Sequence, residues 1–237
     1  MEIEKMDLES GYRLYSLQCE RAAEHILTRL EDQRKFEKFD NSSDLFGSVT
    51  SRTKALDSAR DKWRRKYRKK GDRANPTIAQ IMDTIQDVAG IRIIVPFRDN
   101  VYEVAKIIQS QFVVKEIDDY IEKPKQNGYR SLHLTVWREI DLPNGTKVSR
   151  PVEIQIRTKA MDVWATVEHK VFYKNEKNKA CADSNTIQNR LKIIADALNE
   201  IDSMAIDLRD LDFTEKLVQE VTSSERLSQL ATTVKKS

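Results

Sequence analysis

Apolar residues recur along this chain with two different periods, and the change from one to the other divides it into three parts. From Met6 to about Phe39, Leu14, Leu17, Ile26, Leu27 and Leu30 fall near a helical period among charged residues, which predicts a helix. Asn41-Ser42-Ser43 breaks it. A second helix is predicted from about Thr53 to Lys70. Leu56, Ala59, Trp63 and Tyr67 form its apolar stripe, and Lys54, Ser58 and Lys62 stack at i, i+4 and i+8 on another side. Gly71 ends this helix and Pro76 opens a short one.

The middle of the chain changes to β-branched runs and two-residue alternation. DVAGIRIIVPF (87–97) reads as a strand stopped by Pro96, and an amphipathic helix follows from about Asn100 to Gln111. FVVKEIDDYI, YRSLHLTVWREI and VSRPVEIQIRT supply three more strands, the last two joined by a turn at Pro143-Asn144-Gly145. Residues 159–173 return to helix, with Ala160, Val163, Trp164, Val167 and Val171 as the buried stripe. From about Asp183 two further helices are expected, acidic between 196 and 220. Helices, a mixed sheet interleaved with helices, and helices again describe an α+β protein. The expected division is an N-terminal helical extension over 1–40, a central domain over 41–175 and C-terminal helices over 176–237.

Composition adds a location for charge. With 237 residues and 39% hydrophobic positions the chain can bury a core and is not disordered. Its net charge is only +3, but residues 52–73 alone hold eleven basic and three acidic residues, so the positive charge is gathered in one segment. Local holding of phosphates fits that pattern. Cys19 and Cys181 lie far apart with no CxxC pair, which suggests neither a zinc site nor a disulfide framework and agrees with a reducing cytoplasm. No run of about eighteen apolar residues occurs, so the expectation is a soluble, intracellular protein with no membrane contact.

Candidate chemistry lies where strands carry polar residues on one face. In KPKQNGYRSLHLTV (123–136), Tyr129, Ser131, His133 and Thr135 share a face opposite Leu132, Leu134 and Val136. In VEIQIRT, Glu153, Gln155 and Arg157 oppose Ile154 and Ile156. Asp87 begins a strand that looks buried on both sides, Arg92 interrupts it, and Gly90 between them marks a bulge or a close backbone approach. Buried charges must either pair with each other or face a polar ligand, and the strand alone leaves both open. Arg52 stands at the entry of the basic helix. Arg64, Lys66, Arg68 and Lys69 read as a solvated cationic face, and His25 and His169 as surface and packing residues. A nucleoside triphosphate needs Mg²⁺ held by one or two carboxylates, cations around its phosphates and a flat side chain for the base. Asp87 and Glu153 are the carboxylate candidates, Arg52, Lys54, Lys62 and Arg92 the phosphate candidates, and Tyr129 the stacking candidate.

Taken together, RTKALDS (52–58), DVAGIRI (87–93), KPKQNGYRSLH (123–133) and VEIQIRTKAMDVWATVEH (152–169) resemble the synthetase domain of the RelA/SpoT family, most closely its short members, the small alarmone synthetases. The resemblance covers most of residues 50–174 in the family's order and spacing. It implies a nucleotidyltransferase-like α+β fold with a mixed sheet of about five strands flanked by helices. It also implies a GTP or GDP pyrophosphokinase, which moves the β,γ-diphosphate of ATP to the 3′-hydroxyl of GTP or GDP and makes pppGpp or ppGpp and AMP. Arg52, Lys54, Ser58, Lys62 and Arg92 would then bind ATP, Asp87 and Glu153 would hold Mg²⁺, and Glu153 would take the hydroxyl proton. Lys125 would meet the acceptor's phosphates, Tyr129 would stack on guanine, and His133, Gln155 and Asp162 would complete the acceptor side.

Departures from the family pattern qualify the resemblance. Ser51 precedes Arg52 where many relatives have Gly, and Asp162 stands where some have Asn or His. No His-Asp dipeptide occurs, so the hydrolase half of the long members is not expected and the chain should synthesise without degrading. Two rival readings are a relative that pyrophosphorylates the tRNA 3′ end, served by the basic run from Arg64 to Arg73, and a non-catalytic RNA-binding regulator. Paired acids weigh against a pure polyanion binder, though RNA remains a candidate modulator. Leu191, Ile194, Leu198 and Ile201 would leave apolar surface on a monomer, and the resemblance implies a homo-oligomer, a tetramer in the small members.

Overall fold

The computed structural model describes residues 3–39, 45–67, 75–177 and 184–234. The expected break at Asn41-Ser42-Ser43, the helix end at Gly71, the basic residues from Arg68 to Arg73 and Cys181 lie outside the described residues. Five strands, β1 (Ser48–Thr53), β2 (Ala89–Val95), β3 (Val113–Asp119), β4 (Leu132–Asp141) and β5 (Lys147–Thr158), form one sheet in the order β1-β2-β5-β4-β3. The central β2–β5 pair is parallel and the other pairs are antiparallel. Around the sheet run α1 (Leu8–Phe39), α2 (Leu56–Lys66), α3 (Ile78–Thr84), α4 (Arg98–Gln111), α5 (Lys159–Lys177) and α6 (Ser184–Val234).

Alternation gives the sheet one apolar and one polar face. Ile91, Ile93, Leu134, Ile154 and Ile156 point to the face covered by α1 and α4, where Tyr15, Ile26 and Leu30 of α1 and Val104 and Ile108 of α4 complete the core. Burying each such side chain is worth roughly 1.5–3 kcal/mol. The helix expected as an N-terminal extension therefore shares the core of the sheet. On the opposite face the register lines up polar residues in two rows across the strands. Arg52, Gly90, Glu153, Thr135 and Glu116 are successive neighbours in one, and Arg92, Gln155, His133 and Asp118 in the other.

Four local expectations change. Strand β1 is absent from the sequence reading: SVTSRT is exposed at five of its six positions, so no apolar period marks it, and its backbone pairing with β2 from Ser48↔Ile94 to Thr53↔Ala89 holds it. That strand delays the following helix from Thr53 to Leu56. Gly90 makes no bulge, since β2 keeps unbroken register on both sides. Nearest to where a Cβ would stand are the backbone carbonyl of Glu153 at 3.7 Å and the Arg52 side chain at 3.8 Å, both ordinary contacts. Asp87 reaches the polar face because β2 begins only at Ala89.

Farther along, Val163 is exposed, and over residues 159–171 the buried positions of α5 are Met161 and Trp164, the latter packed on Leu191 and Ala195 of α6. The two helices expected after Asp183 are one continuous helix. No interior Gly or Pro between Ser184 and Val234 interrupts it.

Candidate active site

The polar face floors an open cleft of about 990 Å³. Ten of the twelve candidate residues line it: Arg52, Lys54, Lys62, Asp87, Arg92, Lys125, Tyr129, His133, Glu153 and Gln155. Ser58 is exposed on α2 and outside the cleft. Lys54 precedes the helix, so the i, i+4 stacking holds within α2 only from Ser58 to Lys62. Asp162 lies just behind the lining, with Oδ1 at 3.3 Å from Arg92 Nη1 and 3.6 Å from Arg157 Nη1.

One end of the cleft is built on charge. Lys54 leaves β1 with its backbone fixed, its N–H donating to Val88 O at 2.7 Å and its carbonyl accepting from the Tyr12 hydroxyl at 2.6 Å. Lys62 comes from the first turns of α2, and the strand-to-helix corner brings both ammonium groups to Asp87 Oδ2, at 3.1 and 2.9 Å. The other carboxylate oxygen of Asp87 is buried without a hydrogen-bond donor. Such an acceptor is costly to leave unpaired and suits a cation. Arg92 adds a guanidinium whose pKa is lowered by burial and by the like charge of Arg157, with Asp162 opposing the shift.

The other end is built on directional hydrogen bonds. Gly128 turns the chain into β4 at φ +87°, and a side chain there would run into Ala195 of α6. Tyr129 follows, its N–H donating to Asn127 Oδ1 at 3.2 Å and its ring set edge-on to Trp164, Tyr120 and His133. Lys125 Nζ lies 4.2 Å over the Tyr120 ring and 4.8 Å from that of Tyr129, and its pKa is lowered by burial and by Lys66. Tyr129 Oη and His133 Nε2 are 2.7 Å apart, while His133 Nδ1 faces Glu153 Oε1 at 3.4 Å. Gln155 Nε2 donates to Glu153 Oε2 at 2.5 Å. Burial alone would raise the Glu153 pKa. The hydrogen bond and charge of His133, the Gln155 amide and Lys62 outweigh it and hold the carboxylate down at about 2.

Sequence reasoning placed Arg157 on the right face without giving it a part. It is nearly buried and bonded to Tyr129, Gln155 and Ser131. Tyr120 and Asp118 were also passed over, and the signal available for Asp118 was its place on an edge strand opposite His133. Among the described residues no group of three or more His, Cys, Asp or Glu side chains forms a metal centre by itself. Two carboxylates joined by phosphate oxygens remain the arrangement that Mg²⁺ ordinarily uses with nucleotides.

Comparison with known proteins agrees with this geometry. Residues 51–178 match the family described as the region found in RelA / SpoT proteins. The GTP pyrophosphokinase YjbM of Bacillus subtilis (strain 168) is 32% identical over 190 residues, 79% of this chain and 83% of that protein. The GTP pyrophosphokinase YwaC of the same strain is 39% identical over 126 residues, 52% of this chain, and the match spans only 57% of that relative's length. Among solved structures, the small alarmone synthetase 1 from Bacillus subtilis bound to its product pppGpp aligns with a TM-score of 0.73 at 29% identity, covering 85% of this chain and 97% of that one. A GTP pyrophosphokinase family protein from Streptococcus pneumoniae aligns at 0.71 and 32%, covering 86% and 95%. The five-stranded sheet with its helices is the small alarmone synthetase fold, and the chain belongs to the RelA/SpoT family.

Proposed function

We propose that this protein is a GTP pyrophosphokinase that transfers the β,γ-diphosphate of ATP to the 3′-hydroxyl of GTP or GDP, forming pppGpp or ppGpp and AMP. One observation carries the reading: an ionised Glu153, held at about 2, stands in the sheet between the cationic corner of Lys54, Lys62 and Arg52 and the Tyr129–His133 side. Arg52, Lys54, Lys62 and Arg92 receive the donor's phosphates and offset the charge that repels an incoming nucleophile. Tyr129 takes the guanine ring, and Lys125 leaves the aromatic rings for the acceptor's phosphates.

Glu153 accepts a hydrogen bond from the ribose 3′-hydroxyl and takes its proton as the new O–P bond forms at the β-phosphorus. The bond from that phosphorus to the oxygen bridging it to the α-phosphate breaks, and the electron pair leaves with AMP. A carboxylate of such low pKa is a weak base, so its larger contribution is orientation of the hydroxyl and early charge stabilisation. Asp87 and Glu153 are the residues that would hold Mg²⁺, and the partnerless Asp87 Oδ1 fits that use. When bound, the ion supplies charge neutralisation along the phosphates.

Incubation with ATP and either GTP, GDP or tRNA, followed by mass analysis, tests the reading. AMP with pppGpp or ppGpp is the expected product, and diphosphate transfer to tRNA alone would overturn it.

The proposed working form is a homo-oligomer, a tetramer, in the cytoplasm. Ile194, Ile201 and Leu208, with Met204 and Leu211, recur at seven-residue spacing on α6 and are exposed, as a helix seam for a second copy would be. Among the described residues no helix is long and apolar enough to cross a membrane. Light scattering that gives a monomer at micromolar concentration would remove the oligomer.

A further inference from the structure

Arg157 has 3% of its surface exposed, and among the described residues its one carboxylate partner, Asp162, stands 3.6 Å from an Nη1 that makes no hydrogen bond. Burying a guanidinium is unfavourable without close pairing. The rest of the group is fully engaged. Nη2 donates to Gln155 Oε1 at 2.8 Å and to Tyr129 Oη at 2.6 Å, and Nε donates to Ser131 Oγ at 3.2 Å. Ser131 gives its own proton to Ile156 O at 3.3 Å, which leaves its oxygen able to accept.

An arginine can only donate, and that constrains the direction of the bonds beyond it. Gln155 Oε1 receives from Arg157, so Nε2 must be the atom turned to Glu153 Oε2. Tyr129 Oη also receives from Arg157, and when the imidazole is neutral its own proton is the one that passes to His133 Nε2. An accepting Nε2 puts the imidazole proton on Nδ1, the atom that faces Glu153 Oε1. Two arms of hydrogen bonds leave one guanidinium and converge on the two oxygens of one carboxylate.

We infer that Arg157 is the positioning residue of the acceptor half: it sets the orientation of the Gln155 amide, the tautomer of His133 and the tilt of the Tyr129 ring. Glu153 is thereby held in one rotamer, with the same lone pairs always left for the hydroxyl. The inference rests on the proposed transfer to a guanine nucleotide. A lysine at this position would keep the charge, but a compact ammonium lacks the planar fork that serves several acceptors in fixed directions.

Two variants of the full chain test it. Arg157→Lys is expected to lower kcat by about 10²-fold and raise KM for GTP about tenfold, with KM for ATP unchanged, as a misplacement of reacting groups would. The second readout needs no substrate. With three histidines in the chain, ¹⁵N-imidazole spectra can follow His133. The wild type is expected to show a single Nδ1–H tautomer, and both Arg157→Lys and Tyr129→Phe a mixture. Tyr129→Phe cuts one arm while leaving the guanidinium buried, so it serves even if Arg157→Lys fails to fold. An unchanged His133 tautomer in Tyr129→Phe overturns the inference, as does an Arg157→Lys protein that loses melting temperature while keeping both KM values and kcat. A wild type that makes no pppGpp or ppGpp but shows the expected tautomers would overturn the function and leave the polarity of the network standing.

Discussion

At the donor end of the cleft two ammonium groups meet one carboxylate oxygen, Lys54 and Lys62 on Asp87, and the second oxygen of Asp87 has no donor. At the acceptor end five side chains close a ring of directional contacts, Glu153, Gln155, Arg157, Tyr129 and His133, in which both Glu153 oxygens are engaged. The first arrangement suits a polyphosphate, whose charge is diffuse and needs neutralising more than aiming. The second suits a hydroxyl and a planar base, whose orientation decides whether the reacting atoms meet. The difference predicts that conservative changes are tolerated at the donor end and harmful at the acceptor end.

The largest effect should come from Glu153→Gln. The substitution keeps the shape and removes the charge on which both arms converge, and it also puts an amide N–H against the donors of Gln155 and His133. Synthesis is expected to fall by at least about 10³-fold, the combined scale of a lost proton acceptor and a lost charge, with the fold retained. Lys62→Arg, which moves a point charge without removing it, should cost only a few-fold by the same assay. Equal losses in the two variants would break the comparison.

The same carboxylate has a signature in stability. Its folded pKa of about 2 lies below its ordinary 4.5, so the stabilisation it confers is complete above about pH 4.5 and disappears as pH falls toward 2. A depression of that size corresponds to roughly 3 kcal/mol. Denaturant melts of wild type and Glu153→Gln should therefore differ most above pH 4.5 and converge below it. A constant difference across that window would mean that the ionised form gains nothing from His133 and Gln155.

How much of this was legible beforehand depended on periodicity. The polar face could be read because Glu153, Gln155 and Arg157 alternate with isoleucines that a core demands, and because Tyr129 and His133 stand at the same spacing around Ser131. Strand β1 could not, because five of its six positions are exposed, Val49 alone packs against the core, and backbone pairing with β2 does most to hold it. The start of α2 was misplaced for the same reason, since the unseen strand holds the chain as far as Thr53. Arg157 was visible as a position and not as a role. Its part depends on which atoms accept its protons, and those partners come from the Tyr129 segment and from Gln155 on its own strand.

A change at the base platform separates the two ends further. Tyr129→Leu keeps an apolar side chain beside Trp164 and removes the ring and its hydroxyl. Loss of one stacked base is worth about 1–3 kcal/mol, so KM for GTP should rise about tenfold or more while KM for ATP stays within twofold. Matched increases in both constants would show that the ring serves the whole cleft and not one substrate.

Ionic strength gives the smallest effect and the one that addresses the donor end alone. Lys54 and Lys62 line an open cleft and keep 14% and 23% exposure, and their hold on a polyphosphate is Coulombic. Screening lengths shrink from about 10 Å at 0.1 M salt to about 3 Å at 1 M, which weakens such contacts and leaves short hydrogen bonds inside a buried ring largely untouched. Raising potassium chloride from about 0.05 to 0.5 M at fixed free Mg²⁺ should therefore raise KM for ATP several-fold and KM for GTP less, because only the acceptor's phosphates, met by Lys125, feel the salt. The ratio of the two constants is the measurement, since it cancels any general effect of salt on folding or assembly. If KM for GTP proved the more sensitive of the two, the acceptor would be held chiefly by its phosphates, and the directional ring around Glu153 would orient the hydroxyl without contributing to binding.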